Sequence, residues 1–468
     1  MIDQASKLKL VVAFAACFFP ICIYIEFIST TNFLSLFSFI LGFTIVLSCI
    51  YLSKGGVINP LTVFSLMFSG YVIGGLYYAT SDGFFGKFVS FVNLKREVAE
   101  DYLISAIVFA IVCYIFFVGG YLCQSRRLEQ LRSVKKSDFS SFISRNYIFL
   151  CVPLLFVGFS YWVWVCQTIA GGVIDALIFF QVFPHLIEEH EISILPYLLY
   201  YAGSNIWLIG MLLNGTSLKN KTSLFIFFIV ALVGLVISIS TARITISLTY
   251  VLAQLVFIHF LIPSKRNQIV ITCIGLFFAA FIVFFLRELS NYYFLNNETE
   301  SASFGVLDSI VGGGNVTDLQ QLVIIFHSFE IQYSLLGASY LDWLNNSVGV
   351  MFGLEPRSVG LLVHEKYIPS SSGAPTPGAI GEAFANFNVL APIFMLFVGW
   401  ILSWTHNFFI RTQNVFLIFV YSNFLVCFVF MYPKVDSTMI TNFFWGAAPT
   451  VVVLLGFYLF FCLLPKKS

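Results

Sequence analysis

Charge is scarce in this chain. Only 10% of its 468 residues are Asp, Glu, Lys or Arg, against about 25% in a soluble domain, which excludes a water-soluble globule. The short motifs of familiar catalytic chemistry are missing too: there is no Walker loop, HExxH, GxSxG or paired-acid DxD beside an apolar run. Their absence argues against an ATP-driven pump, a zincin and a serine hydrolase. It also argues against membrane transferases that hold a metal with paired acidic residues in the first outer loop, because the first outer stretch, "EFISTTNF", carries Glu26 alone. No CxxC pair occurs and the ten cysteines lie in or at the edge of apolar runs, so neither a disulfide framework nor a thiolate metal site is expected. No metal or cofactor is expected. The net charge of +1 says nothing about nucleic acid, and no nucleic-acid partner is expected.

Hydrophobic residues make up 59% of the chain and aromatics 18%. Apolar runs fall at 8–28, 33–52, 60–78, 102–123, 147–169, 196–213, 223–240, 244–262, 268–286, 389–404, 415–432 and 446–464, many of them near the roughly 20 residues that span a bilayer. They do not alternate as barrel strands do, and a lipid-exposed backbone must bond to itself, so they read as helices. The expectation is an all-α polytopic membrane protein of about twelve spans. The first run contains Pro20 and Glu26 and no A-x-A site, which favours a retained helix over a cleaved signal.

An even count places both termini on one side. With the termini inside, the inner segments hold Lys7, Lys9, Lys54, Arg126, Arg127, Arg132, Lys135, Lys136, Arg145, Lys219, Lys221, Lys265, Arg266, Arg411, Lys466 and Lys467, two thirds of the basic residues. Residues 1–286 then carry helices one to nine, 287–388 a large outer loop, and 389–468 helices ten to twelve. The loop concentrates ten of the 23 acidic residues. Its apolar stretches "LQQLVIIFHSFEIQYSLLGASYLDWL" and "SVGVMFGL" predict short amphipathic helices on the membrane face.

Ionisable groups at membrane depth are costly and mark partners or function. In "SISTARITISL" a three-residue turn, Ser240 to Ala242, sets Arg243 at the outer face, where a guanidinium can snorkel to headgroups or bind a phosphate bidentately. Arg287 and Glu288 follow the ninth helix as it emerges. His327 and Glu330 are three apart and share a helical face; the histidine can be a general base, a phosphate partner or a packed structural residue. Arg357 in "GLEPRSVG" and His364 in "LLVHEKY" follow, and Lys434 and Asp436 mark the turn "MYPKVDSTM", as a functional pair or a surface ion pair.

Taken in order, four features resemble the bacterial oligosaccharide repeat-unit polymerases, the O-antigen polymerases, which are similar to O-antigen ligases. They are twelve helices with both ends inside, the "TARITISL" turn, the large loop between helices nine and ten, and its exit "SSSGAPTPGAIGEAFANFN". "YPKVDSTM" also resembles the late turn of enterobacterial common antigen polymerases. The resemblance implies a GT-C-like fold in the bacterial inner membrane, with a periplasmic loop and cytoplasmic termini. It implies metal-independent glycosyl transfer between oligosaccharides on undecaprenyl pyrophosphate, in contact with membrane lipids and a chain-length-regulating co-polymerase. Arg243, Arg287 and Arg357 would serve pyrophosphate, with His364, Lys434 and Asp436 as further substrate-binding candidates. His327, Glu330 and Glu382 are the candidate bases for the attacking hydroxyl. A ligase with the same donor, or a lipid-linked oligosaccharide flippase, are the alternatives.

The charge bias makes a topological prediction. Cysteine placed at Asn297 or Ser371 should react with an impermeant maleimide in intact spheroplasts, and at Ser133 only after the inner side is opened. Ser371 reacting only after opening would invert the assignment.

Overall fold

Apolar runs fold as helices because nothing in a hydrocarbon layer can take up an unpaired N–H or C=O. A computed structural model describes residues 56–80, 96–124, 138–176, 195–214, 221–240, 244–276, 319–329, 335–347, 358–367, 376–412 and 414–463. Among these residues the chain is helical throughout, without strands. In chain order the elements are α1 (Pro60–Thr80), α2 (Arg96–Gln124), α3 (Asp138–Ala170), α4 (Leu195–Leu213), α5 (Lys221–Ser240) and α6 (Ile244–Leu261). Helical residues 266–276 follow. Then come α7 (Leu319–Ser328), a 3-10 turn at Ala338–Leu341, α8 (Asp342–Ser347), α9 (Val359–Tyr367), α10 (Gly378–Phe387) and α11 (Ala391–Thr412). Last are α12 (Val415–Asn423), which runs on as a π-helix over Phe424–Val429, a 3-10 turn at Ser437–Met439, and α13 (Ile440–Leu463).

Among the described residues four helical stretches are long and apolar enough to cross a membrane, Ser105–Gln124, Phe139–Ala170, Gly378–Thr412 and Ser437–Cys462. Shorter apolar helices occupy Pro60–Gly70, Tyr197–Leu213, Phe225–Ile237, Thr249–Leu261 and Val415–Val429. The apolar runs at 8–28 and 33–52 lie outside the described residues, as does the second half of the run at 268–286. Helix starts are written locally. Asn59 caps α1, its Oδ1 accepting from the Thr62 N–H at 3.0 Å, and Pro60 follows where no N–H is needed. Asn414 caps α12 in the same way, accepting from the Phe416 and Leu417 N–H groups.

The described residues divide into two compact units. The first contains α1, α2, α7 to α11 and the turn after the π-helix. Its membrane helices are filled by stacked aromatics: Phe64 on Phe117 at 4.1 Å and Phe68 on Tyr114 at 4.7 Å between ring centroids, with Ser65 Oγ bonded to the Tyr114 hydroxyl. Helices α2 and α11 meet backbone to backbone. A β-carbon on Gly120 would overlap the Leu396 carbonyl oxygen, and one on Gly399 that of Phe117, the small-residue contact typical of membrane helices. Asn407 donates to the Gln124 carbonyl at 2.9 Å, satisfying an acceptor at the end of α2. The opposite side of α11 exposes Ile393, Phe397, Trp400, Ile401, Trp404 and Phe408 at helical spacing, the stripe such a helix turns to lipid.

Of the elements within 287–388, α7 buries Leu322 to Phe326 against α1, α2 and α10. Phe326 stacks on Phe384 at 3.9 Å and Phe109 meets both edge-on. Within the loop exit, Gly378–Phe387 is a helix, and every residue from Gly378 to Asn386 is buried. Gly378, Ala379, Gly381, Ala383 and Ala385 are small enough for protein to close around it, and at Gly381 the Ile325 and Leu322 methyls would lie 3.0 and 3.4 Å from an added β-carbon.

The second unit contains α3 to α6, 266–276, α12 and most of α13. Helices α3 and α4 run together, with Gly210 against the Tyr147 ring and Gly203 against the Cys151 carbonyl. Polar side chains bind the bundle from within. Gln254 Nε2 donates to Ser204 Oγ and Asn205 Oδ1, both at 3.0 Å, and Asn205 donates to Thr450 at 3.2 Å, a means of joining helices where lipid gives no hydrophobic drive.

Neighbouring glycines of α2 should respond with opposite signs. Around Gly119 there is open space, so Gly119→Ala should raise the unfolding temperature in detergent, with a helix-propensity gain of up to about 1 kcal/mol. Gly120→Ala must push the facing backbones of α2 and α11 apart and should lower it, with a net cost of about 1–3 kcal/mol.

Candidate functional site

Two motifs singled out in the sequence, "SSSGAPTPGAIGEAFANFN" and "YPKVDSTM", come together in the first unit. Helix α10 begins at Gly378, whose φ of +67° follows Pro377 and suits only glycine without strain. Its first N–H groups have no partners within the helix, and the later turn supplies them: Gly378 N donates to Val435 O at 2.6 Å and Ala379 N to Tyr432 O at 3.0 Å. At the other end the strap before the 3-10 turn caps the last carbonyls, with Leu335 N donating to Ala385 O at 3.0 Å and Leu336 N to Asn386 O at 3.1 Å.

Glu382 and Asn386, four residues apart, share the face of α10 that these segments cover. Glu382 is 1% exposed. Its Oε1 accepts from Ser339 Oγ at 3.0 Å and Ser437 Oγ at 2.6 Å, and its Oε2 from the Ser437 N–H at 2.8 Å. Asn386 Nδ2 donates to Ser339 Oγ at 2.6 Å and to the Glu382 carbonyl at 2.7 Å, while its Oδ1 accepts from Gly337 N at 2.9 Å. One carboxylate and one amide thus tie α10 to the strap and to the turn.

Asp436 adjoins this lock. It caps the 3-10 turn Ser437–Met439, accepting from the Thr438 N–H at 3.0 Å and from the Thr438 hydroxyl. Burial pushes its carboxyl above the ordinary Asp value, and the nearby Asp342 carboxylate adds to the rise, while the Thr438 hydrogen bonds oppose it. Asp342, 1% exposed, opens α8. Tyr340 and Tyr432 face each other beside these carboxyls. Burial, then the charge of Tyr432 on Tyr340 and of Glu382 on Tyr432, raises both phenols well above their usual value, so both remain protonated.

The structure brings Glu382 and Asp436 into one cluster, with Lys434 half-buried two residues before Asp436 in the same turn. His327 lies elsewhere on the unit, half-buried at the end of α7, its ring edge-on to Tyr102 with centroids 5.3 Å apart. His364 is on α9, with its side chain outside the described residues, and Arg243, Arg287, Glu330 and Arg357 lie outside them altogether. Ser339, Tyr340, Asp342, Asn386, Tyr432 and Ser437 were not singled out in the sequence. The four-residue spacing of Glu382 and Asn386 was the one local sign of the lock.

Such a cluster can do two things chemically. Asp436, whose carboxyl burial holds above the ordinary Asp value, can keep a proton there. The cluster's hydrogen bonds join residues 55 positions apart, so it can also fix the turn that carries Lys434. Comparison with protein-family models, curated proteins and solved structures finds no match.

The Asp436 shift has a stability consequence. The folded state keeps this proton to higher pH than the unfolded chain, so the contribution is complete below the ordinary value of 3.8 and is lost as pH rises through the raised one. Asp436→Asn retains an oxygen for the Thr438 N–H and cannot ionise. Its unfolding temperature in detergent should fall less steeply than that of the unaltered protein as pH rises from about 4 toward neutral.

Proposed function

We propose that this chain is a polymerase that joins undecaprenyl-pyrophosphate-linked oligosaccharide repeat units into a surface polysaccharide at the periplasmic face of the bacterial inner membrane. A hydroxyl on the non-reducing sugar of one lipid-linked unit attacks the anomeric carbon of the glycan held on another. The new glycosidic C–O bond forms as the bond to the pyrophosphate oxygen breaks, undecaprenyl pyrophosphate leaves with the electron pair, and the hydroxyl proton passes to a base. Twelve spans, a GT-C-like arrangement and cytoplasmic termini belong to the same proposal, as does a chain-length-regulating co-polymerase as partner.

The observation that carries this reading is the joining of two of its motifs. The loop exit and the late turn, far apart in sequence, are hydrogen-bonded into one polar cluster at the end of an apolar, membrane-length helical stretch. A lipid-linked sugar needs that combination: an anchor in hydrocarbon, and polar, shaped protein where the headgroup sits. The leaving pyrophosphate needs cationic stabilisation as charge builds on it. The reading gives this to Arg243, with Arg287, Arg357 and Lys434 as further cations, and gives the base to His327, Glu330 or Glu382.

The purified chain in liposomes, supplied with lipid-linked repeat units from its native strain, should yield a ladder of lengthening glycans on gels and release undecaprenyl pyrophosphate. The ladder should persist in excess EDTA. Arg243→Ala should slow it on the order of a hundredfold, about 3 kcal/mol of lost transition-state stabilisation. Absence of any ladder, or transfer of finished glycan to lipid A core alone, would reject the polymerase reading.

A further inference from the structure

A general base must reach within about 2.6–3.2 Å of the proton it takes. Glu382 is badly placed for that. It is 1% exposed, and both oxygens already accept from Ser339 and Ser437. We propose that Glu382 is a positioning residue that holds the 431–439 turn, and with it Lys434, in the geometry the reaction uses. The proposal rests on the polymerase reading for its activity measurements and on the hydrogen bonds alone for its structural ones.

Within the turn, Lys434 N and Val435 N both donate to Met431 O at 3.0 Å, and Thr438 N donates to Asp436. Tyr432 packs on Phe64 and bonds to Tyr340. Helix α10 adds three hydrogen-bonded ties along the turn, through Gly378 N, Ala379 N and the Glu382 carboxyl. The first two bonds fix Tyr432 and Val435, and the third fixes Ser437, so Lys434 and Asp436 lie between anchored residues. The same carboxylate binds Ser339, whose hydroxyl also receives Asn386. The anchor is therefore itself held rigid, as a positioning group must be.

The donor types separate positioning from proton abstraction. The bond to Oε2 comes from a backbone N–H, which cannot be reversed, whereas both bonds to Oε1 come from serine hydroxyls, which can rotate to accept instead. Glutamine can therefore set its oxygen on Ser437 N and its amide toward the two hydroxyls, keeping every bond while being unable to take up a proton. Alanine cannot, and leaves the Ser437 N–H buried without its acceptor.

The test measures ladder synthesis, its pH profile and the detergent unfolding temperature for Glu382→Gln, Glu382→Ala, Lys434→Met and the Glu382→Ala/Lys434→Met pair. For a positioning residue, Glu382→Gln stays within about tenfold of the unaltered rate, the scale of one altered hydrogen bond. Its acid limb and unfolding temperature do not move. Glu382→Ala falls roughly a hundredfold, the effect of a displacement near 1 Å. In the Lys434→Met background, Glu382→Ala adds little further loss, because both changes remove one interaction. Three results would each overturn the proposal. One is a loss of about 10²–10⁴-fold in Glu382→Gln at unchanged unfolding temperature, the signature of a lost base. Another is disappearance of the acid limb in that variant. The third is full additivity with Lys434→Met, which leaves Glu382 a purely structural residue. If Glu382→Ala does not fold, Ser437→Ala replaces it, removing the hydroxyl donor while leaving the N–H bond. An unaltered protein that makes no ladder fails the polymerase reading instead, while a Glu382→Gln protein that unfolds far below it fails the bonding argument by itself.

Discussion

A carboxylate that meets almost no water must have its lone pairs filled by the protein, or it will not stay where it is. At Glu382 that requirement organises the surrounding chain. The donors come from two segments remote in sequence, Ser339 from the 3-10 turn after the strap and Ser437 from the late turn. Both must lie directly on α10 for the bonds to form, while at Gly381 the absence of a side chain lets the Leu322 and Ile325 methyls of α7 come close. The stacked Phe326 and Phe384 rings and the left-handed glycine at 378 serve the same close approach.

Backbone groups at the ends of α10 follow the same logic. A helix buried from end to end has orphan N–H groups at its start and orphan carbonyls at its finish, with no solvent to take them up. The late turn accepts from the first and the strap donates to the last. Side-chain and backbone bonds therefore point to the same two segments, and neither set could be kept without the other.

Much of the helical architecture was legible in hydropathy. The runs read at 60–78, 196–213 and 244–262 became Pro60–Thr80, Leu195–Leu213 and Ile244–Leu261, the first opened by its Asn-Pro pair. Where the reading fell short, the helix outran its apolar stretch. The run at 147–169 belongs to a helix that starts at Asp138, and the run at 446–464 to one that starts at Ile440. Hydropathy marks the residues fit for lipid, while the backbone spiral continues through "DFSSFISRN" and "ITNFFW" on either side. The late turn and Glu382 were each visible as charge in an apolar setting. Their joining was not, because no local pattern pairs residues 55 apart, and Ser339 and Ser437 look like ordinary turn serines. Glycine and proline in the loop exit suggest turns, yet from Gly378 to Phe387 the chain is a helix whose small residues let it enter the interior.

Three residues, Asn388–Leu390, separate α10 from α11, and Asn388 takes a left-handed φ of +49° there. On one side of this short joint is the hydrogen-bonded polar cluster; on the other is a helix whose aromatic and aliphatic stripe faces lipid. A membrane helix tilts to match the thickness of the hydrocarbon around it, and a joint this short has little slack to absorb the tilt. Any tilt of α11 with bilayer thickness would pass through this joint toward the polar cluster, so acyl-chain length is a variable to control whenever this protein is reconstituted.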